Sequence, residues 1–184
     1  MTQKNNQSNL LTIIYVGISC IFLGGFIGAV TNIINGAVSP TYFRNVMGWD
    51  FYEIWLASIA QGIFEGLIYG VIFSIIFTSA FSLITKNTGT YKFAFNQLLK
   101  IILLVILCWI IGGIIAILLA TLSPDFYQSN FYNVPTDKTE MLKYAWVGGS
   151  IWGGMIGGIL SAFFSVILLK NNWNGKASRI KPNG

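Results

Sequence analysis

The sequence predicts an all-α integral membrane protein with four transmembrane helices, arranged as two tandem α-hairpins in a parallel repeat. Three observations predict it. Of 184 residues, 54% are hydrophobic and only 9% charged, against about 25% charged in a soluble domain. Four apolar stretches, near 10–34, 54–85, 98–122 and 142–169, exceed the roughly 18–20 residues needed to cross a bilayer. The same landmarks also occur twice. Ser39-Pro40 recurs as Ser123-Pro124, an offset of 84 residues, and Asp50…Glu53 recurs as Asp137…Glu140, an offset of 87. A repeat at fixed spacing constrains architecture before any local assignment.

The first element is a polar, Asn/Gln-rich tail over 1–9, expected to be mobile. The first hairpin follows over 10–85, with helices at about 10–36 and 51–85. The apolar run in its first helix is longer than a signal-peptide h-region, so that helix is expected to be retained. Ser39 then Pro40 offers an N-cap followed by proline at the first helical position. With Tyr42, Phe43 and Arg44 this predicts a short interfacial helix. Asp50 and Glu53 have the spacing of an N-cap and its N3 carboxylate, a capping-box-like signal. A cytoplasmic loop is expected over 86–97.

The second hairpin, over 98–170, repeats these devices, with helices at about 98–122 and 138–170. Ser123-Pro124-Asp125 again starts a short helix, with the acid favourably placed at the positive end of the dipole. Asp137 and Glu140 repeat the cap. The returning helices, of about 34 residues each, would span about 50 Å at 1.5 Å per residue, so they must tilt or project from the membrane. The basic tail over 171–184 is polar with Gly and Pro and is expected to be disordered. A two-helix unit enters and leaves on one side, so its copies are related by an axis along the membrane normal.

Charge placement orients the chain. Lys4, the cluster Lys86, Lys92 and Lys100, and Lys170, Lys176, Arg179 and Lys181 flank the tails and the middle loop. The other two loops hold only Arg44, Lys138 and Lys143. The positive-inside rule then puts both termini of a multi-pass protein in the cytoplasm, and the small size and absent sorting motifs suggest the plasma membrane as its location. Anionic lipid accounts for the basic ends, and no nucleic-acid partner is expected. The expected partners are the lipid bilayer itself and, through spare helix faces, a second copy or other membrane subunits.

Within lipid, helices associate by close packing that small residues permit. Gly62, Gly66 and Gly70, continuing through Ser74 and Thr78, make a groove at four-residue spacing. Gly149, Gly153 and Gly157, continuing through Ser161 and Ser165, make its counterpart. Gly24 and Gly28 on the first helix and Gly112 on the third offer matching notches. A second row, Gly154, Gly158 and Ala162, is the face most available to another subunit.

Polarity breaks the repeat. Asn32 and Asn35 correspond to Ala116 and Leu119, and Gln61 and Glu65 correspond to Gly148 and Trp152. Glu65 is the only acid inside an apolar stretch. It lies about 60° from Gly62 on a helical wheel, on the packed side. An acid at a bilayer centre costs about 2.5–3.5 kcal/mol on insertion scales, and such a residue is a functional candidate. Asn32, Asn35, Gln61 and Glu65 are therefore expected to form one cluster near the outer boundary, as a hydrogen-bonded structural group or as an ion site.

Catalysis is not expected. The chain has no His, and neither a paired acid nor a base beside a nucleophile is apparent. Cys20 and Cys108 show no metal or disulfide spacing, and no cofactor or metal is expected. The leading expectation is a packing or assembly subunit of a membrane complex. The competing one is a small channel or transporter that uses the polar cluster around Glu65.

Overall fold

The computed structural model describes the backbone of residues 2–50 and 52–180 and the side chains of residues 10–50 and 52–175. The chain is all helical over these residues. Four of its helices are long and apolar enough to cross a membrane: α1 (Thr2–Val38), α3 (Ile54–Thr85), α4 (Tyr91–Leu122) and α6 (Lys138–Ile180). Two short helices, α2 (Pro40–Met47) and α5 (Pro124–Asn130), cover one end. That end is called the capped end here. The α3–α4 turn lies at the opposite, terminal end.

Local chemistry sets the corners. Ser39 leaves helical geometry, and its hydroxyl accepts the Tyr42 N–H at 3.3 Å. Pro40 needs no donor at the first helical position, which suits it to start α2. Gly48, at φ +66, ends α2 in the left-handed region, which glycine enters without a Cβ clash. Lys86 and Asn87 also take positive φ. Their N–H groups both return to the Ser82 carbonyl and close α3. The Thr90 hydroxyl then accepts the Phe93 N–H at 3.3 Å and starts α4.

Several boundaries differ from the sequence expectation. The α3–α4 connection is a five-residue turn between Thr85 and Tyr91, not a loop over 86–97. α1 begins at Thr2, so most of the expected tail over 1–9 is helical backbone. The expected disorder from 171 is likewise replaced by helix to Ile180, with 181–184 outside the described residues. Tertiary contacts hold that extension. The Asn172 amide donates to Gln97 Oε1 at 2.8 Å, and Trp173 packs edge-on to Phe93 at 5.3 Å. Residues that look disordered by composition thus remain helical where a neighbouring helix supplies partners.

The two caps also part company. Asp137 Oδ1 accepts the Glu140 N–H at 2.9 Å, as its spacing predicts. The Asp50–Glu53 cap does not form. α3 starts at Ile54 rather than 51, with Glu53 at the N-cap and no side-chain cap bond. Asp50 instead sits 3.8 Å from Arg44 at an exposed corner. Ser123, unlike Ser39, makes no side-chain cap bond and instead closes α4 through its N–H to the Leu119 carbonyl at 2.9 Å.

α1 packs antiparallel on α3, and α4 on α6. In both hairpins the main chains touch. A Cβ added to Gly28 would collide with the Gly62 carbonyl oxygen, and one on Gly24 with that of Gly66. A Cβ on Gly70 would come 2.8 Å from Ile21 Cα. In the second hairpin, a Cβ on Gly112 would collide with the Gly149 carbonyl oxygen. One on Gly153 would collide with the Cys108 carbonyl oxygen, and one on Gly157 would come 2.6 Å from Cys108 Cβ. Such approach is open only to glycine or, at the looser points, to very small residues.

Between the hairpins the packing is concentrated at the two ends. At the terminal end a core forms around Val16, Phe77, Phe81, Leu98 and Leu169. At the capped end Tyr42, Phe43, Ile54, Tyr127, Met141 and Tyr144 form a second core.

The cleft between the hairpins as candidate functional site

Between these two cores the hairpins separate and flank a half-open cleft of about 190 Å³. That is roughly 13–19 times the ~10–15 Å³ that holds one water. All four long helices line it: Gly24, Gly28, Asn32 and Asn35 of α1, Glu65 and Tyr69 of α3, Val105 and Trp109 of α4, and Gly154 and Met155 of α6. The cleft begins among polar groups near the capped end. It continues among apolar side chains down to Leu98 and Ile101, which belong to the terminal core.

Three of the four expected polar residues, Asn32, Asn35 and Glu65, line this cleft. They do not bond to one another. Asn32 Nδ2 donates to the Ser58 carbonyl at 2.8 Å, tying α1 to α3. Asn35 reaches across to the other hairpin, where its Oδ1 accepts the Ser150 hydroxyl at 3.0 Å. Gln61 donates to Glu65 Oε1 at 2.8 Å, one turn along the same helix. Of the expected cluster, the Gln61–Glu65 bond forms within α3, whereas neither α1 asparagine bonds Glu65. The physical reason is register: the carbonyl of Ser58 and the hydroxyl of Ser150 lie nearer to the two asparagines.

Glu65 stands exposed at the cleft's mouth rather than being buried on the packed face. From Glu65 to Thr85, α3 rises about 30 Å at 1.5 Å per residue, which is one hydrocarbon thickness. The carboxylate thus lies at headgroup depth if Thr85 marks the opposite boundary.

Two buried donors around the cleft have no partner among the described residues: Asn35 Nδ2, on a side chain 0% exposed, and Trp109 Nε1, on one 7% exposed. Gln61 Oε1 and Trp146 Nε1 are also unpartnered. Buried polar atoms are paired in more than 90% of cases, so each exception calls for a reason. Trp109 meets Trp146 edge-on at 5.3 Å. Gly113 makes room for that pair, since a Cβ there would come 2.6 Å from the Trp146 ring.

The capped end closes the cleft with aromatic rings. Tyr42 lies 4.9 Å from Tyr144, and its Cε2 would meet a Cβ on Gly148 at 3.1 Å. Tyr144 donates to the Tyr132 carbonyl. Burial, helped by the Glu65 carboxylate, raises the Tyr42 hydroxyl above its ordinary pKa. Burial and then Tyr42 push Tyr127 up to about 12.

The sequence did not single out Trp109, Ser150 or the tyrosine group. Trp109 carried a signal, because it lies mid-stretch, whereas Trp in membrane proteins concentrates at the interfaces. Ser150 carried none, since its role depends on which residue faces it from the other hairpin. Among the described residues no group of three His, Cys, Asp or Glu side chains could hold a metal. No family model, curated protein or solved structure matches this chain.

Proposed function

We propose that this chain is a non-enzymatic multi-pass membrane protein made of two copies of one hairpin, and that the cleft between the copies is its working part. In this reading the cleft admits a guest with an apolar body and a polar end, and the protein belongs to the binding-or-transport class. The observation that carries it is continuity: one cleft runs from Glu65 and Asn35 down to Leu98. Its apolar lower lining does not suit a hydrated ion, whose desolvation is costly.

Matching contact registers support the duplication. Gly28 faces Gly62, as Gly112 faces Gly149. Gly24 faces Gly66, as Cys108 faces Gly153. Ile21 faces Gly70, as Val105 faces Gly157. In every case the second pair is the first displaced by 84 residues on the leading helix and 87 on the returning one. These glycine ladders would then be the shared part of both copies. Cytoplasmic termini follow the placement of Lys and Arg.

The assembly reading has its own observation. A Cβ on Gly158 would meet nothing within 4 Å, and one on Gly154 would meet only Trp109, at 3.6 Å and beyond. Gly154 is thus turned to the cleft, and Gly158 is the position left open to receive another subunit.

Proteoliposomes carrying the purified chain separate the two readings. The cleft reading expects transbilayer movement of a tail-labelled phospholipid above protein-free vesicles. Proton and sodium flux should stay at background, and Gly154→Leu, which fills the cleft, should lower lipid movement. No movement, together with cross-linked oligomers lost in Gly158→Leu, would replace it with the assembly reading.

A further inference from the structure

The head-end chemistry of the cleft is specific enough to name a guest. We infer that the cleft seats one phospholipid whose head carries both a phosphate and a primary ammonium, with an acyl chain lying between the hairpins. This rests on the reading of the cleft as the working part.

Each end of such a molecule has a counterpart. Asn35 Nδ2 and Trp109 Nε1 are N–H donors on cleft-lining side chains more than nine-tenths buried, and neither donor atom has an acceptor among the described residues. Two unpaired donors call for oxygen acceptors, which phosphate and ester groups supply. Glu65 is the only formally charged residue among those lining the cleft. Its carboxylate has one neutral neighbour, Gln61, and so calls for a cation that also donates hydrogen bonds. An ammonium does both, and charge-assisted bonds of this kind are the strong ones. Towards the terminal end, Phe73, Leu98 and Ile102 give the cleft an apolar wall, as an acyl chain requires.

Other occupants fit less well. Water suits the polar end but leaves the apolar wall without a matching partner. An anionic phospholipid without an ammonium brings a second negative charge to Glu65. A quinone or sterol offers acceptors but leaves the carboxylate without a cation. A helix of another subunit would have to enter between the hairpins rather than lie on an outward face.

The test uses the full chain, purified in detergent, delipidated and offered an equimolar mixture of phosphatidylethanolamine, phosphatidylcholine and phosphatidylglycerol. Retained lipid is counted by native mass spectrometry. One phosphatidylethanolamine per chain is expected. Phosphatidylcholine, which keeps the charge but has no N–H to donate, should be retained less. Phosphatidylglycerol should be retained least, about tenfold below phosphatidylethanolamine. Glu65→Gln should erase the preference for the ammonium head, and Gly154→Leu should lower retention of all three lipids. Equal retention of the three heads by the unaltered chain overturns the inference, and needs no variant to fold. A preference that survives Glu65→Gln in folded protein overturns it too. Selective binding without lipid movement in proteoliposomes would sink the transport reading and leave this assignment standing. Movement without head selectivity would do the reverse.

Discussion

The two hairpins agree where main chains touch and disagree where polar side chains sit. α1 meets α3 through Gly24, Gly28, Gly62 and Gly66, and α4 meets α6 through Cys108, Gly112, Gly149 and Gly153. At the polar level the first hairpin has the Asn32–Ser58 bond, where the second has Ala116 and Ala145. The first has the Gln61–Glu65 pair, where the second has Gly148 and Trp152. The second instead carries the Trp109–Trp146 pair, where the first has Gly25 and Ile59. Close approach admits few residues, so the contact points are constrained in both hairpins. Polar and aromatic groups beside those points can differ without moving the backbone. That difference gives the cleft Glu65 from one hairpin and Trp109 from the other.

Matched glycine substitutions should break this comparison most visibly. Gly28→Ala and Gly112→Ala each press a methyl into a facing carbonyl, and each should destabilise the protein by about 2–3 kcal/mol. Gly158→Ala, facing open space, should instead stabilise by about 0.5–1 kcal/mol through helix propensity. Denaturant unfolding in micelles measures all three. A neutral Gly112→Ala beside a damaging Gly28→Ala would show that the hairpins are not held alike.

Alkali should loosen the capped end, where Tyr42 of α2 and Tyr127 of α5 are buried. The Tyr127 pKa is raised in the folded protein from 10.0 to about 12, by burial first and Tyr42 second. Its contribution is therefore fully present below pH 10 and is lost as pH rises towards 12. Tyrosinate absorbance should show this residue titrating near the upper limit, together with a loss of aromatic circular dichroism. Titration of every tyrosine near pH 10 would refute the burial of this group.

Asn32→Ala gives the first hairpin the second's residue at that position. It removes the bond to the Ser58 carbonyl and should cost about 0.6–1.7 kcal/mol. A loss near zero would mean that this interhelical bond does not distinguish the hairpins energetically.

The smallest contrast is between the two acids of the caps. Asp137→Ala removes a formed cap and should cost about 0.5–2 kcal/mol. Asp50→Ala removes only an exposed ion pair at 3.8 Å and should cost at most ~0.5 kcal/mol. Thermal unfolding of the two variants side by side reads the difference, and equal losses would place a cap at Asp50 in solution.

Much of the fold was legible from residue type alone. Four apolar stretches dictate membrane helices because unpaired backbone groups are costly in lipid. Four-residue glycine spacing marks the faces that can approach closely. Ser39-Pro40 marks a corner because both residues act within one turn of chain. The cleft was not legible in the same way. Asn35 pairs with Ser150 from the other hairpin, and Trp109 faces a space bounded by three further helices. Such distances depend on how one hairpin is set against the other. The local pattern at Asp50 failed for a related reason: its carboxylate lies beside Arg44 of the preceding short helix, whose placement is itself tertiary. Sequence determined the four apolar helices, the Ser39-Pro40 corner and the glycine-bearing faces, because these depend on neighbours a few residues away. The tertiary structure decided which polar groups meet, which stay unpaired and where space remains, because those follow from the relative placement of whole helices.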